Sequence, residues 1–266
     1  MSMITNIHKN KKMIFIPMYN CEKQIIRVLG KINNFIDNFD KLLIVDNGSD
    51  DNSLLVAKKS LEKMNIASAT IVKNSHNYNL GGSHKVAFNY AVENNFDFIV
   101  VLHGDDQGDI KDIMPIINSD EYLKLDCVLG ARFMKGSKLQ GYSKFRIFGN
   151  LCINIIASII SKKFISDMGS GLNMYNTKML KNKFYLNFPS GLTFNYYLLF
   201  YIISQKLKFK FFPLSWREKD QLSNLNLFKH LMEWLSVIFL FIFNRSGFIK
   251  GTEKKKDYTY DVYYQN

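Results

Sequence analysis

A chain of 266 residues that is 47% hydrophobic and 14% aromatic suits one large α/β domain and is too apolar to be disordered overall. Its 35 Lys and Arg against 23 Asp and Glu leave a formal charge of +12. That charge suits nucleic acid, an anionic membrane or a phosphate-bearing substrate, or follows from a compositional bias toward Lys, Asn and Ile. Cys21, Cys127 and Cys152 lie far apart with no CxxC spacing, which argues against a metal–thiolate site and fits a reducing cytoplasm.

The first twelve residues carry no apolar stretch of the secretory kind. Residues 13–17 (MIFIP) predict a first strand ended by Pro. Residues 21–39 place Ile25, Ile26, Val28, Leu29, Ile32, Phe35 and Ile36 at helical spacing. A second strand over 41–45 ends at Asp46. Asp50 or Asn52 then caps a helix over 53–64, and residues 67–72 predict a third strand. Gly81–Gly82 reads as a loop leading into a helix over 83–93, with His84 and Lys85 on its solvated face. The apolar run 98–102 is a fourth strand that breaks into His103, Gly104, Asp105, Asp106, Gln107, Gly108 and Asp109. Strand–helix alternation of this kind predicts a parallel sheet with right-handed crossovers.

Beyond Asp109 the pattern is less regular. A short helix is expected over 110–117 and a strand over 127–129 leading to Ala131–Arg132. A loop over 133–141 precedes a long helix over 145–163. A strand over 172–175, a helix over 193–204, a strand over 209–214 and a polar loop over 216–224 follow. The apolar segment 231–243 holds 13 residues, short of the about 20 that a spanning helix needs. It predicts a core helix, a contact in an oligomer, or a helix lying in a membrane interface beside Lys229, Arg245 and Lys250. The expected organisation is a catalytic domain over 1–227, an apolar helix over 228–249 that is either core or membrane-interfacial, and a charged, Tyr-rich tail over 250–266.

Parallel strands gather their carboxyl ends on one edge, so four unusual turns would line one crevice. They are Pro17-Met18-Tyr19-Asn20, Asp46-Asn47-Gly48-Ser49-Asp50, Asn79-Leu80-Gly81-Gly82 and the His103–Asp109 cluster. Tyr19 can stack on a base, and Asp46 can accept from a base N–H or a ribose hydroxyl. Gly81 and Gly82 let backbone approach a diphosphate at a helix N-terminus. The oxygen-rich cluster suits a hard divalent cation held by Asp105 and Gln107, with His103 a further ligand and Asp106 in reserve.

FIPMYNCE, IVDNGSDD, NLGG with AFNYA, and VLHGDDQ, in that order, resemble the successive motifs of family 2 glycosyltransferases. The closer resemblance is to the dolichyl-phosphate mannose synthase and polyprenyl-phosphate sugar transferase branch. Arg132 in LGARFMKG, Arg146 in YSKFRIFGN, Asp167, Ser170 and Gly171 in ISDMGSGLNMY, and Arg217 and Ser223 in WREKDQLSN carry it. Four positions depart from that branch. His103 replaces the first Asp of the metal motif, Asn173 an Arg, Asp220 a Gly and Asn224 a Lys.

The resemblance implies an A-type nucleotide-diphospho-sugar transferase fold, a mostly parallel, Rossmann-like sheet flanked by helices, with the C-terminal apolar helix appended. It implies inverting glycosyl transfer from a nucleoside diphosphate sugar with Mn²⁺ or Mg²⁺. Pro17, Tyr19, Asn20, Glu22, Asp46, Gly48, Gly81, Gly82 and Asp105 are the expected donor-binding residues. Asp105, Gln107 and His103 are the expected metal ligands, and Asp105, Arg132, Arg146, Asp167 and Arg217 the expected catalytic residues. Arg217 would face the leaving diphosphate. Arg132 and Arg146 would hold an ionised phosphate acceptor by bidentate geometry, which favours a polyprenyl phosphate. Asp167 or Asp106 would serve as base for a hydroxyl acceptor, because Asn195 stands where hydroxyl-using relatives often carry a carboxylate. Hydroxyl-directed transfer in polysaccharide or glycolipid synthesis, and non-catalytic nucleotide binding, are the alternatives. Dispersed Lys and the lack of an aromatic–basic module argue against nucleic acid. The expected location is cytoplasmic, at the inner face of the membrane.

Overall fold

The computed structural model describes residues 10–64, 66, 68–220, 227–253 and 256–266, with 227–230 described by their backbone alone. The readings made above of residues 1–9, Ser223, Asn224 and the Lys229 side chain lie outside it. The chain alternates as expected through β1 (Lys12–Met18), α1 (Glu22–Asn33), β2 (Lys41–Asp46), α2 (Ser53–Glu62), β3 (Ala69–Asn74), α3 (Asn79–Glu93) and β4 (Phe98–Leu102). There follow α4 (Met114–Asn118), β5 (Cys127–Ala131), β6 (Leu139–Gln140), α5 (Lys144–Ser161), β7 (Leu172–Asn176), α6 (Phe194–Ser204) and β8 (Phe209–Pro213). The chain closes with β9 (Trp216–Arg217), α7 (Leu227–Phe243), α8 (Arg245–Lys250) and β10 (Tyr260–Gln265).

The main sheet has the order β10-β3-β2-β1-β4-β7-β5-β8, and β6 pairs with β9 in a small parallel ribbon. The strands β1 to β4 are parallel, and their apolar runs are buried on both faces because helices cover both sides. Two strands break the expected parallel pattern: β7 runs antiparallel between β4 and β5, and β10 runs antiparallel along β3. The first exception builds the site. Leu172 at the start of β7 pairs with Leu102 at the end of β4, so residues 167–171 arrive at the same edge as the strand carboxyl ends. The second corrects the expected tail, because residues 260–265 supply an edge strand.

The helix α5 is apolar on its outward face and mixed on its inward one. Ala157, Ile153 and Ile160 pack toward the core beside Asn150, Asn154 and Ser158. The Asn154 amide donates to Ser166 O at 2.9 Å and accepts from the Met168 N–H at 3.1 Å. Its outward face carries Phe145, Phe148, Leu151, Ile155, Ile156 and Ile159, all exposed, with Phe148 at 68%. It is the described helix long and apolar enough to cross a membrane, by length and composition alone. The helix α7 packs Trp234, Val237, Ile238 and Phe241 into the core and leaves Leu231, Leu235, Phe239, Ile242 and Phe243 exposed.

Candidate active site

The crevice at the carboxyl edge of β1, β2 and β4 is a cavity of about 280 Å³. Pro17, Met18 and Tyr19 form one side. Asn47, Asn77, Asn79, Leu80 and Ser83 form another, and His103, Gly104 and Asp105 form the floor. The four expected turns therefore do meet, but several of the expected residues stand behind the crevice and shape it. Asp46 is fully buried. Its carboxylate accepts from Ser49 Oγ at 2.5 Å and from the backbone N–H groups of Gly48 and Ser49 at 3.2 Å, which holds a turn where Gly48 has φ +81°. Asn20 and Glu22 knit to the same turn: the Asp50 N–H donates to Asn20 Oδ1 at 2.8 Å, and the Asn52 amide to Glu22 Oε2 at 3.4 Å. Asp51 accepts from the Glu22 N–H at 3.1 Å and from the Ser53 N–H at 3.0 Å.

Gly81 and Gly82 lie inside the first turn of α3, not in a loop before it. Their N–H groups donate to Ser190 O at 2.7 and 3.3 Å, so the helix N-terminus is already engaged by protein. A Cβ on Gly81 would sit 2.7 Å from Phe194 Cβ, so this glycine serves helix packing rather than approach to a diphosphate. One turn on, His84 and Lys85 are buried, contrary to the solvated face expected for them. The His84 ring packs among Phe15, Phe88 and Phe194 and bonds Leu80 O at 2.8 Å; burial, then proximity to His103, lowers its pKa to about 3.

The acidic cluster divides its labour. Asp106, with 2% of its side chain exposed, gathers three cations: Arg27 Nε at 2.6 Å, Lys31 Nζ at 2.5 Å and Arg217 Nη2 at 2.7 Å. It is therefore an ion-pair hub rather than a reserve metal ligand, and it holds Arg217, whose N–H also donates to Gln107 O at 3.0 Å. Arg27 further pairs with Asp220 at 2.9 Å. Asp105 faces the crevice and accepts the Gln107 N–H at 3.0 Å. Burial chiefly, with Asp106 and Glu218 adding, raises its pKa to about 6. His103 Nδ1 lies 3.9 Å from Asp105 Oδ2, and His103 Nε2 is buried without a hydrogen-bond partner. Burial lowers the His103 pKa to about 4, so the imidazole is neutral near pH 7 and able to ligate.

Among the described residues, no three His, Cys, Asp or Glu side chains group as a metal site. A carboxylate in a negative, desolvated setting beside a neutral imidazole with an orphaned nitrogen nonetheless fits a hard or borderline cation. Such an ion takes its remaining ligands from substrate phosphates and water. Asp105 and His103 would hold it; Gln107, the third expected ligand, is not among the residues lining the crevice and meets Asp105 through its backbone N–H.

A second cluster adjoins through the start of β7. Arg132 donates from Nε to Asp167 Oδ2 at 2.7 Å and from Nη2 to Asp167 Oδ1 and Gly169 O at 2.9 Å. Burial would lower the Arg132 pKa, but Asp167 more than offsets it, and the pKa is raised. The Asp167 carboxylate also accepts the N–H groups of Arg132 and Gly169, so its bonds orient an arginine and shape a loop. Arg146 pairs through Nη1 with Glu218 at 2.7 Å, which leaves Nε and Nη2 outside that pair. Tyr142 joins the two arginines: its hydroxyl accepts from Arg132 Nη1 at 3.3 Å, and its ring lies 4.5 Å from the Arg146 guanidinium.

Residues 13–184 match the sequence model described as Glycosyl transferase family 2. The chain is a family 2 glycosyltransferase. The transferase is 30% identical over 183 residues to the UDP-N-acetylglucosamine–dolichyl-phosphate N-acetylglucosaminyltransferase of Methanococcus voltae, a match covering 63% of this chain and 70% of that one. Its fold is similar to that of glucosyl-3-phosphoglycerate synthase from Mycobacterium tuberculosis. The complex of that enzyme with uridine diphosphate superposes with a TM-score of 0.62 at 13% identity, covering 92% of this chain and 82% of that one. The complex with Mn²⁺, uridine diphosphate and phosphoglyceric acid gives 0.64 at 14% identity, covering 96% and 87%. At such identities the likeness establishes the fold, the A-type nucleotide-sugar transferase architecture. Asn77, Ser83 and Leu192 also line the crevice of this glycosyltransferase and were not among the residues expected from sequence. Asn77 carried a signal in its spacing, two residues before Asn79, whose N–H donates to Asn77 Oδ1 at 2.9 Å.

Proposed function

We propose that this nucleotide-sugar transferase moves its sugar, with a divalent metal, onto a polyprenyl phosphate at a membrane surface. The observation that carries the acceptor assignment is the Arg132–Tyr142–Arg146 cluster, set at the amino-terminal end of a helix whose outward face is apolar. A phosphate acceptor is ionised near neutral pH and needs cationic positioning, not a base. Arg146, with Nε and Nη2 outside its ion pair, is the primary phosphate contact, and Arg132 stiffens the platform through Asp167. Asn195, where hydroxyl-using relatives often carry a base, cannot deprotonate an alcohol. The relative named for dolichyl phosphate supports the same acceptor class.

The donor lies in the crevice, its base against Tyr19 and Asn47 and its diphosphate above Asp105 and His103. Asp105 and His103 would hold the divalent cation, which would supply positive charge against the leaving diphosphate. Arg217, poised on Asp106, lies beside the same floor and adds positive potential there. Membrane contact runs through the outward face of α5. Its exposed phenylalanines and isoleucines are bracketed by Lys144 at one end and by Lys162, Lys163 and the 81% exposed Phe164 at the other. That pairing of an apolar face with cationic ends suits an anionic bilayer interface. The transferase then works at the membrane surface, on its cytoplasmic side.

The test is transfer by the purified chain with Mn²⁺, a panel of sugar nucleotides and short polyprenyl phosphates, read as lipid-linked sugar. Product with hydroxyl acceptors alone would refute the acceptor assignment. Arg146→Ala should raise the acceptor KM or lower kcat while leaving donor KM near wild type.

A further inference from the structure

Lys85 is a fully buried lysine that the chemistry above does not use. Its Nζ contacts Phe188 O and lies 3.0 Å from Ser190 Oγ, 2.8 Å from Glu253 Oε2 and 2.9 Å from Tyr258 OH. Ser190 Oγ in turn donates to Glu253 Oε2 at 2.7 Å and bonds Tyr258 OH at 2.9 Å. The knot joins three stretches of chain. Lys85 stands on α3, whose first turns present Asn79, Leu80 and Ser83 to the crevice. Phe188 and Ser190 precede Leu192, which also lines the crevice. Glu253 and Tyr258 belong to the segment that enters β10.

The joint is reinforced where it meets the crevice. Ser190 O caps Gly81 and Gly82. The Tyr258 ring packs edge-on against Tyr78 at 5.2 Å. Thr259 binds Tyr78 OH through its N–H at 3.3 Å, and the Ser75 N–H donates to Thr259 O at 3.1 Å. The strand β10 then follows β3 from Asn74 to Thr70, so the C-terminal segment borders the turn that carries Asn77. Ser190, Glu253 and Tyr258 all lie beyond residue 184, outside the stretch that matches the family model.

We infer that Lys85 is a positioning residue for the sugar nucleotide: through Ser190 it fixes α3 against the 188–192 stretch that brings Leu192 to the donor crevice, and the C-terminal segment closes the joint. A charge buried in low dielectric persists only where each bond is made, so the lysine sets a single spacing between α3 and residues 188–192. An apolar substitute would keep the volume and release that spacing. The inference rests on the crevice being the donor site.

The experiment uses the full chain and uridine diphosphate with Mn²⁺ as the calorimetric probe. Lys85→Met should weaken binding about tenfold, and Tyr258→Phe and Glu253→Gln about threefold each, the scale of one or two charge-assisted hydrogen bonds. The pair Lys85→Met with Glu253→Gln removes the stranded carboxylate, so it should recover thermal midpoint over Lys85→Met while keeping the weakened binding. Tyr185→Phe, which removes a bond to Asn89 Oδ1 farther along α3, controls for lost stability and should bind as wild type. Wild-type affinity in the stable double variant, or in Tyr258→Phe and Glu253→Gln together, would overturn the positioning role alone. Failure of wild type itself to bind the probe would overturn the donor assignment with it.

Discussion

The Asp106 hub yields the most quantitative expectation. Asp106→Asn keeps the side-chain shape and suits the backbone, because Asn tolerates the positive φ of +60° at this position. It removes the charge on which Arg27, Lys31 and Arg217 converge, leaving three cations around a neutral amide. Breaking a buried ion pair by removing one partner costs about 3–5 kcal/mol. The side chains of Arg27 and Lys31 are 40% and 25% exposed, so water screens part of the repulsion, and about 2–3 kcal/mol is expected. That corresponds to a fall of about 4–10 °C in the unfolding midpoint for a domain of this size. The dependence on pH has a definite sign. Burial pushes the Asp106 pKa up, but the bonds from Lys31 and Arg27 outweigh it, and the value falls below the ordinary 3.8. A depressed carboxylate contributes stability that is complete above 3.8 and is lost as pH falls through its folded value. Thermal unfolding followed by circular dichroism should therefore show the full gap between wild type and variant from about pH 7 to about pH 5, closing only in stronger acid. A gap below about 1 °C near neutral pH, or one that closes before about pH 5, would refute the hub.

Three further outcomes follow from the geometry. Gly81→Ala should destabilise by about 1–3 kcal/mol despite the better helix propensity of Ala, because the new Cβ would meet Phe194 Cβ at 2.7 Å and Ser190 O at 2.8 Å; urea midpoints decide it. Asn154→Leu should cost about 2–3 kcal/mol by stranding Ser166 O and the Met168 N–H, whereas Ile155→Ser on the opposite face should stay within about 0.5 kcal/mol, as read by thermal melts. Between 3.8 and about 6 the folded chain holds the Asp105 proton more tightly than the unfolded chain, so this group's contribution to metal-free stability declines as pH rises through that window. Mn²⁺ competes with the same proton. Its affinity should fall about tenfold per pH unit below that value, and a flat calorimetric profile across the window would count against Asp105 as a ligand.

The crevice was legible in the sequence because parallel strands announce themselves as short apolar runs and their carboxyl ends share an edge. The four turns at Tyr19, Asn47, Asn79 and Asp105 needed only that rule to be brought together. Burial on α3 was not legible. His84 and Lys85 look like solvated polar residues until α6 and the C-terminal segment cover them, and those partners lie about 100 or more positions away. The direction of β7 was equally hidden. Residues 172–176 read as a strand of either sense, and only pairing with both β4 and β5 makes it antiparallel. The tail misled for a simpler reason. The tail reads as charged and Tyr-rich from its composition, while the alternation of Tyr260, Val262 and Tyr264 is a strand pattern too short to stand apart from its charged neighbours. The exposed apolar face of α5 was hidden as well, since a run of isoleucines reads as core until Asn154 and Ala157 are seen to face inward.

The late position of β10 has a consequence for how the chain is made. Its partner β3 is complete after residue 74, yet the backbone groups along one side of β3 are first paired when residues 260–265 emerge. The Ala69 N–H, for one, donates to the Asn266 side chain across 197 residues. For most of synthesis the nascent sheet therefore presents an unpaired, strongly β-forming border of Thr70, Ile71 and Val72, the kind of template on which incomplete chains pair with one another. Yield and solubility of C-terminally shortened chains should suffer before any loss of chemistry is measured.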